Sequence, residues 1–172
     1  MRESSYLKDN QKILEKLKEI KFFKPFNDED LHSFLDLGKL KEYDPGEIII
    51  QEGEFDCWVY FLLSGQIEII KNGKVMGILK RKGEIFGEMG VVDGSPRSAT
   101  IRAAAKSLTL SVDGSLMDRK YKENELTFSY TVFRLFSEVL AHRLRITTEE
   151  NTRLKEEIEK LKNFSDITFY PV

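Results

Sequence analysis

Cysteine is almost absent from this chain, with Cys57 alone in 172 residues. No internal disulfide can form, and a reducing compartment fits. Cys57 precedes Trp58 in a run that reads as a strand, so it is expected to fill core. Histidine is nearly as scarce: His32 and His142 are the only two, and the clustered ligands that a zinc site or a metal-dependent β-roll enzyme requires are missing. No metal is expected. No apolar run approaches the ~20 residues of a membrane span, and the N-terminus is charged rather than built as a signal peptide. The expectation is a cytoplasmic protein without a membrane partner. The charges nearly balance, 27 Lys and Arg against 29 Asp and Glu, so there is no electrostatic footprint for nucleic acid.

What is present suffices for one domain with a core plus an appendage, since 41% of the residues are hydrophobic. In residues 7–20, Ile13, Leu14, Leu17 and Ile20 recur at helical spacing among Lys and Glu, predicting an amphipathic packing helix. Phe22, Phe23, Pro25 and Phe26 break it. Asn27 or Asp28 can cap a second helix that carries Leu31, Phe34, Leu35 and Leu37 and ends at Gly38, with His32 on its surface. Residues 1–38 thus read as an N-terminal helical segment. Over 39–112 the pattern changes to short β-rich runs at 47–50, 58–63, 66–70, 74–79 and 108–112, parted by Asp44-Pro45-Gly46, Ser64-Gly65 and Asn72-Gly73. Asn72-Gly73 between apolar runs is a strong hairpin signal, because a type I′ turn needs positive φ at both positions. So many hairpins in so short a stretch predict a sandwich or roll.

After Asp113-Gly114-Ser115 the pattern is helical to about Lys162, with a break near Asn124 that separates a short helix from a long one. Leu140, Leu144, Thr147, Asn151, Leu154, Ile158 and Leu161 alternate by four and three, the heptad signature of a coiled coil. Placing Leu140, Thr147, Leu154 and Leu161 at d leaves a polar Asn151 at a single a position, which specifies a parallel two-stranded register. Glu150 and Glu157 then occupy g, and Lys155 and Lys162 occupy e, so oppositely charged pairs face each other across a parallel dimer. Residues 113–162 are therefore expected to form a short helix and a homodimerisation helix, paired through 140–161. The tail, 163–172, is aromatic and apolar, and docking on the roll or on a partner both stay open.

The most informative stretch is 83–103, Gly-Glu-Ile-Phe-Gly-Glu-Met-Gly-Val-Val-Asp-Gly-Ser-Pro-Arg-Ser-Ala-Thr-Ile-Arg-Ala. Gly87 and Glu88 lie on a turn, a short apolar run follows, and Gly94-Ser95-Pro96 breaks it before Arg97. A helix start preceded by Gly lets backbone N–H groups approach an anion, and Arg97 supplies a planar fork of donors. From Ala99 onward Ala99, Ile101 and Ala103 share one strand face, and Ser98, Thr100 and Arg102 the other. By that parity Arg97 points inward. A guanidinium under a sheet needs an anionic partner, since an unpaired buried charge costs several kcal/mol; a small anionic ligand and a structural Asp or Glu both stay open for Arg97 taken alone.

These residues resemble the cyclic-nucleotide-binding domains of catabolite activator proteins, cyclic-nucleotide-dependent kinases and gated channels, through F-G-E, a spacer and R-S-A-T. The resemblance implies a phosphate-binding cassette at Phe86, Gly87, Glu88, Met89, Gly90, Pro96, Arg97, Ser98 and Ala99. It also implies an α+β fold, a double-stranded β-helix (jelly roll) over 39–112 with helices at both ends. Arg97 and Ser98 would hold the cyclic phosphate and Glu88 the ribose, whose free 2′-hydroxyl suits an acceptor-only carboxylate. Residues 141–149, Ala-His-Arg-Leu-Arg-Ile-Thr-Thr-Glu, resemble the dimerisation helix of the activator group, which puts Thr147 and Thr148 at the base and favours cAMP, with cGMP the other candidate. Transcription factors of that group continue into a winged helix-turn-helix, whereas this sequence runs on through Ile158 and Leu161, so no DNA-reading helix is expected. The resulting expectation is a non-enzymatic sensor domain that binds a cyclic nucleotide and reports through a dimeric helix. The competing class is an interaction module in which the cassette is a relic. No nucleophile–base pair supports an enzyme.

Overall fold

A computed structural model describes residues 2–4, 11–36, 38–114 and 126–167. Its strands form two β-sheets. The first has five strands in the order β1-β2-β9-β4-β7, and the second has four, β3-β8-β5-β6. The strands are β1 Arg2–Ser4, β2 Gly38–Tyr43, β3 Ile48–Ile50, β4 Trp58–Ser64, β5 Ile67–Lys71, β6 Lys74–Leu79, β7 Ile85–Phe86, β8 Thr100–Ala103 and β9 Ser107–Asp113. Every strand pair is antiparallel. The helices are α1 Gln11–Lys18, α2 Asp28–Asp36, α3 Glu88–Asp93 and α4 Leu126–Ile167.

The uninterrupted apolar run of β4 has a simple cause: both of its faces are covered. Tyr60 and Leu62 point into the space between the sheets, where they pack with Ile50, Ile67, Phe86 and Ile101. Phe61 points the other way and meets Phe22 and Phe23 at ring-centroid distances of 5.0 and 4.8 Å. Phe34 of α2 and Phe128 of α4 extend this second cluster at 5.0 Å from each other. The phenylalanines that break the helical pattern after α1 are therefore the packing surface for the roll. At the start of α2, the Asn27 carbonyl oxygen Oδ1 accepts from Asp30 N–H at 2.8 Å while Asp30 Oδ2 accepts from Asn27 N–H at 3.3 Å. This reciprocal box satisfies two amides that the helix leaves unpaired.

Several boundaries differ from the sequence reading. Residues 1–38 are not wholly helical, because Arg2–Ser4 pairs with Glu42, Lys41 and Leu40 of β2. Three residues are too few for any periodicity to show. Strands β2 and β7 lack the β-rich alternation that marks the others, and pairing with β9 and β4 makes them strands. Cys57 is exposed: it precedes β4 rather than lying in it, with its carbonyl accepting from Gly114 N–H at 2.7 Å. It is not core filler. Asn72 and Gly73 do adopt positive φ, 50° and 75°, in the β5–β6 hairpin. The short helix expected after Asp113 falls mostly on residues outside those described. Helix α4 runs to Ile167, five residues beyond the expected end at Lys162.

The chain divides into two compact units, 1–133 and 134–172. The second unit is helical through Ile167 and exposes Leu144, Leu154, Ile158 and Leu161, each more than half accessible. No described helix is long and apolar enough to cross a membrane.

Candidate functional site: a buried arginine beside a glycine-led turn

Strand β7 delivers the site. Phe86 pairs with Tyr60 across β4 and stacks on its ring at 5.0 Å and 7°. Gly87 then turns the chain with φ 82° and ψ 3°. A Cβ there would lie 2.8 Å from the Trp58 carbonyl oxygen and 2.9 Å from Arg97 Nη1, so both the backbone angle and the space require glycine. Helix α3 follows for six residues and ends at Gly94, also left-handed, whose N–H donates to the Gly90 carbonyl. Glu88, its first residue, is buried at 1% exposure. Met89 beside it is exposed.

Arg97 is buried, with 4% of its surface accessible, but β8 begins only at Thr100, so strand alternation does not reach it and its direction is set by the bonds of residues 53 and 54 to its backbone. Of the partners the sequence left open for it, the structure shows the structural carboxylate: the guanidinium pairs with Asp56 in its own fold. Nε donates to Asp56 Oδ2 at 2.9 Å, and Nη2 donates to Asp56 Oδ1. Nη2 also donates to the Trp58 carbonyl, and Nη1 to the Gly87 carbonyl, each at 2.5 Å. These four bonds use all but one of the five N–H groups of a guanidinium. Among the described residues the last N–H, on Nη1, has no partner. Asp56 sits on its own side of the pair: burial works against its carboxylate, but Arg97, the Trp58 N–H at 2.8 Å and Lys41 more than offset this, and its pKa lies below the ordinary value. Asp56 escaped the sequence reading because the loop between β3 and β4 has no periodicity to say where a lone carboxylate points.

The remaining predicted residues divide by location. Ser98 is exposed, with its hydroxyl 3.7 Å from Met89 Sδ, and Ala99 is half-buried. Phe86, Gly87, Glu88, Met89, Arg97, Ser98 and Ala99 all belong to the first compact unit. Thr147 and Thr148 belong to the second and are exposed on α4. Thr148 Oγ1 donates to the Leu144 carbonyl of its own helix at 2.8 Å, so its proton is committed and its lone pairs are what it can offer. The candidate site is thus a buried Arg–Asp pair against a glycine-led helix in a two-sheet antiparallel roll.

Comparison with known proteins is consistent with this architecture. Residues 40–124 match the family model described as cyclic nucleotide-binding domain. The Pycsar effector protein RsmPycTIR of Rhodovulum sp. is 39% identical over 97 residues, which is 54% of this chain and 38% of that protein. The cGMP-dependent protein kinase of Eimeria tenella is 32% identical over 103 residues, 60% of this chain and 10% of the kinase. The chain thus spans well under half the length of these relatives. Among solved structures, a cyclic nucleotide-binding domain from Methylobacillus flagellatus superposes with a TM-score of 0.68 at 22% identity, covering 81% of this chain and 80% of that one. That likeness establishes the fold.

Proposed function

We propose that this chain is a sensor domain that binds a 3′,5′-cyclic nucleotide at the turn led by Gly87. The observation that carries the proposal is the posture of Arg97. Asp56 grips the Nε/Nη2 edge of the guanidinium, which leaves the Nη1 side, next to Gly87, as the edge that can still donate. A singly charged cyclic diester needs one such donor and neighbouring amides, where a terminal phosphate would call for more cations or Mg²⁺. In this reading Ser98 contributes to the phosphate with Arg97, Glu88 accepts from the ribose 2′-hydroxyl, and Phe86, Gly87, Met89 and Ala99 shape the cassette. Thr147 and Thr148 read the base and favour cAMP over cGMP. The chain pairs with a second copy through residues 140–161, and ligand biases the geometry of that helix pair. No catalytic role is assigned.

Calorimetry with cAMP and cGMP tests this on the wild type and on Arg97→Lys, which keeps the charge but loses the planar fork. Saturable heat with the wild type and at least about tenfold weaker binding by the variant are expected. Absence of heat with either nucleotide on the wild type rejects the proposal.

One observation favours a second reading. Because Asp56 balances Arg97 without a ligand, the cassette could be a structural relic in a dimeric interaction module. That protein would show no change in stability with any cyclic nucleotide, so the same samples distinguish the two.

A further inference from the structure

Residues 97–100 form a short arm that joins the Arg97 site to β8, and this arm is fastened by a neighbouring loop and hairpin. Arg97 N–H donates to the Glu54 carbonyl at 2.8 Å, and the Arg97 carbonyl accepts from Gly53 N–H at 2.9 Å. One residue on, the Ser98 carbonyl accepts from Lys71 Nζ at 2.7 Å. Thr100 Oγ1 accepts from Glu52 N–H at 3.0 Å. Lys71 closes the ring by donating to Glu52 Oε1 at 2.6 Å, and the other Glu52 oxygen accepts from Asn72 N–H at 3.3 Å. The arm, the loop 51–54 and the β5–β6 turn are thereby joined.

The consequence follows from peptide geometry. Every described peptide is trans, and in a trans peptide the N–H points opposite to the carbonyl before it. Fixing the Arg97 carbonyl on Gly53 therefore aims the Ser98 N–H away from that loop. Fixing the Ser98 carbonyl on Lys71 aims the Ala99 N–H away from the hairpin. These are the two backbone donors that follow Arg97 in the chain.

We propose that Lys71 and Glu52 are positioning residues for anion binding: acting through the Ser98 carbonyl, they hold the Ser98 and Ala99 amides in the orientation that a cyclic phosphate requires. This rests on the nucleotide-binding reading above. Lys71 is 46% and Glu52 27% exposed, and exposed ion pairs add little to stability. Their effect should therefore appear in affinity and hardly in folding.

The test is calorimetry with cAMP and cGMP on the full chain, with ligand-free melting temperatures measured alongside, for Lys71→Met, Lys71→Arg, Glu52→Gln and the Lys71→Met/Glu52→Gln double variant. Lys71→Met and Glu52→Gln should each weaken binding about three- to tenfold, and the double variant should be no worse than the weaker single one, because both break one ring. Lys71→Arg, which can still donate to both acceptors, should bind close to wild type. The Glu52→Gln result separates positioning from simple charge: if Lys71 attracted the anion directly, removing its carboxylate would tighten binding, and tightening overturns the proposal. So does unchanged affinity in Lys71→Met, whether or not its melting temperature falls. A wild type that binds neither nucleotide rejects the underlying reading, and this inference with it.

Discussion

At Arg97 a buried cation is fixed by Asp56 and two backbone carbonyls, and those contacts determine which neighbours can change. Gly87→Ala would force a Cβ to within 2.8 Å of the Trp58 oxygen and 2.9 Å of Arg97 Nη1, in a backbone region that costs a non-glycine residue about 1–2 kcal/mol by itself. Chemical denaturation should show a loss of at least that size, and nucleotide binding should fall with it because Arg97 is displaced. Asp56 gives a second prediction with a defined sign. Its folded pKa lies below the ordinary 3.8, so the native state binds fewer protons than the unfolded one in the acid range. The stability from this pair is fully present above that ordinary value and is lost as pH falls through the folded one. Asp56→Asn should therefore flatten the acid limb of a stability-versus-pH curve measured by urea unfolding. Asp56→Ala is expected to cost about 3–5 kcal/mol, since it strands a buried guanidinium.

Helices α3 and α4 illustrate two different ways of ending up with exposed apolar residues. Helix α3 is a single short segment between two left-handed glycines, and its purpose in the fold is to set Glu88 inside and Met89 outside. Helix α4 has 42 residues, and beyond residue 134 its apolar stripe repeats every three and four residues with Asn151 in the middle. If that stripe pairs with a second copy, g-to-e′ contacts link Glu150 to the partner's Lys155 and Glu157 to the partner's Lys162, each worth ~0.2–1 kcal/mol. Leu154→Glu places a charge in the seam and should convert a dimer to a monomer in sedimentation equilibrium, with the melting of the roll little changed. Asn151→Ile should raise dimer stability while relaxing the two-stranded, parallel register. A wild-type chain that sediments as a monomer at high concentration would remove the dimer.

For the molecule as a whole, binding and stability are linked. A ligand that binds only the folded state adds about 2.7 kcal/mol at one hundred times its dissociation constant, which corresponds to a melting shift of roughly 5–10 °C in a domain of this size. A cyclic nucleotide should produce that shift, and the linear 5′-monophosphate, with a second negative charge and no ring, should not. Equal shifts with both would mean that the site recognises any phosphate.

The sequence by itself determined the elements that announce themselves through short-range pattern. The hairpin at Asn72-Gly73 was legible because its two-residue turn needs positive φ, and the alternation of Ile101 and Ala103 because they lie on a strand, which Arg97 does not. The glycine-led helix α3 was legible because Gly87, Glu88 and Gly94 lie within a few neighbouring positions. Only the tertiary structure decided who partners Arg97: Asp56 stands 41 residues away in a loop whose direction is set by Gly53 and Glu54 binding the Arg97 backbone. It likewise decided that Gly38–Tyr43 is a strand, through its register with β9, and that Lys71 at the end of β5 reaches Ser98 just before its neighbour β8. Local preference is written into neighbouring residues, whereas a contact between distant ones exists only after strands and loops far apart in the chain have paired and brought those backbones within hydrogen-bonding distance.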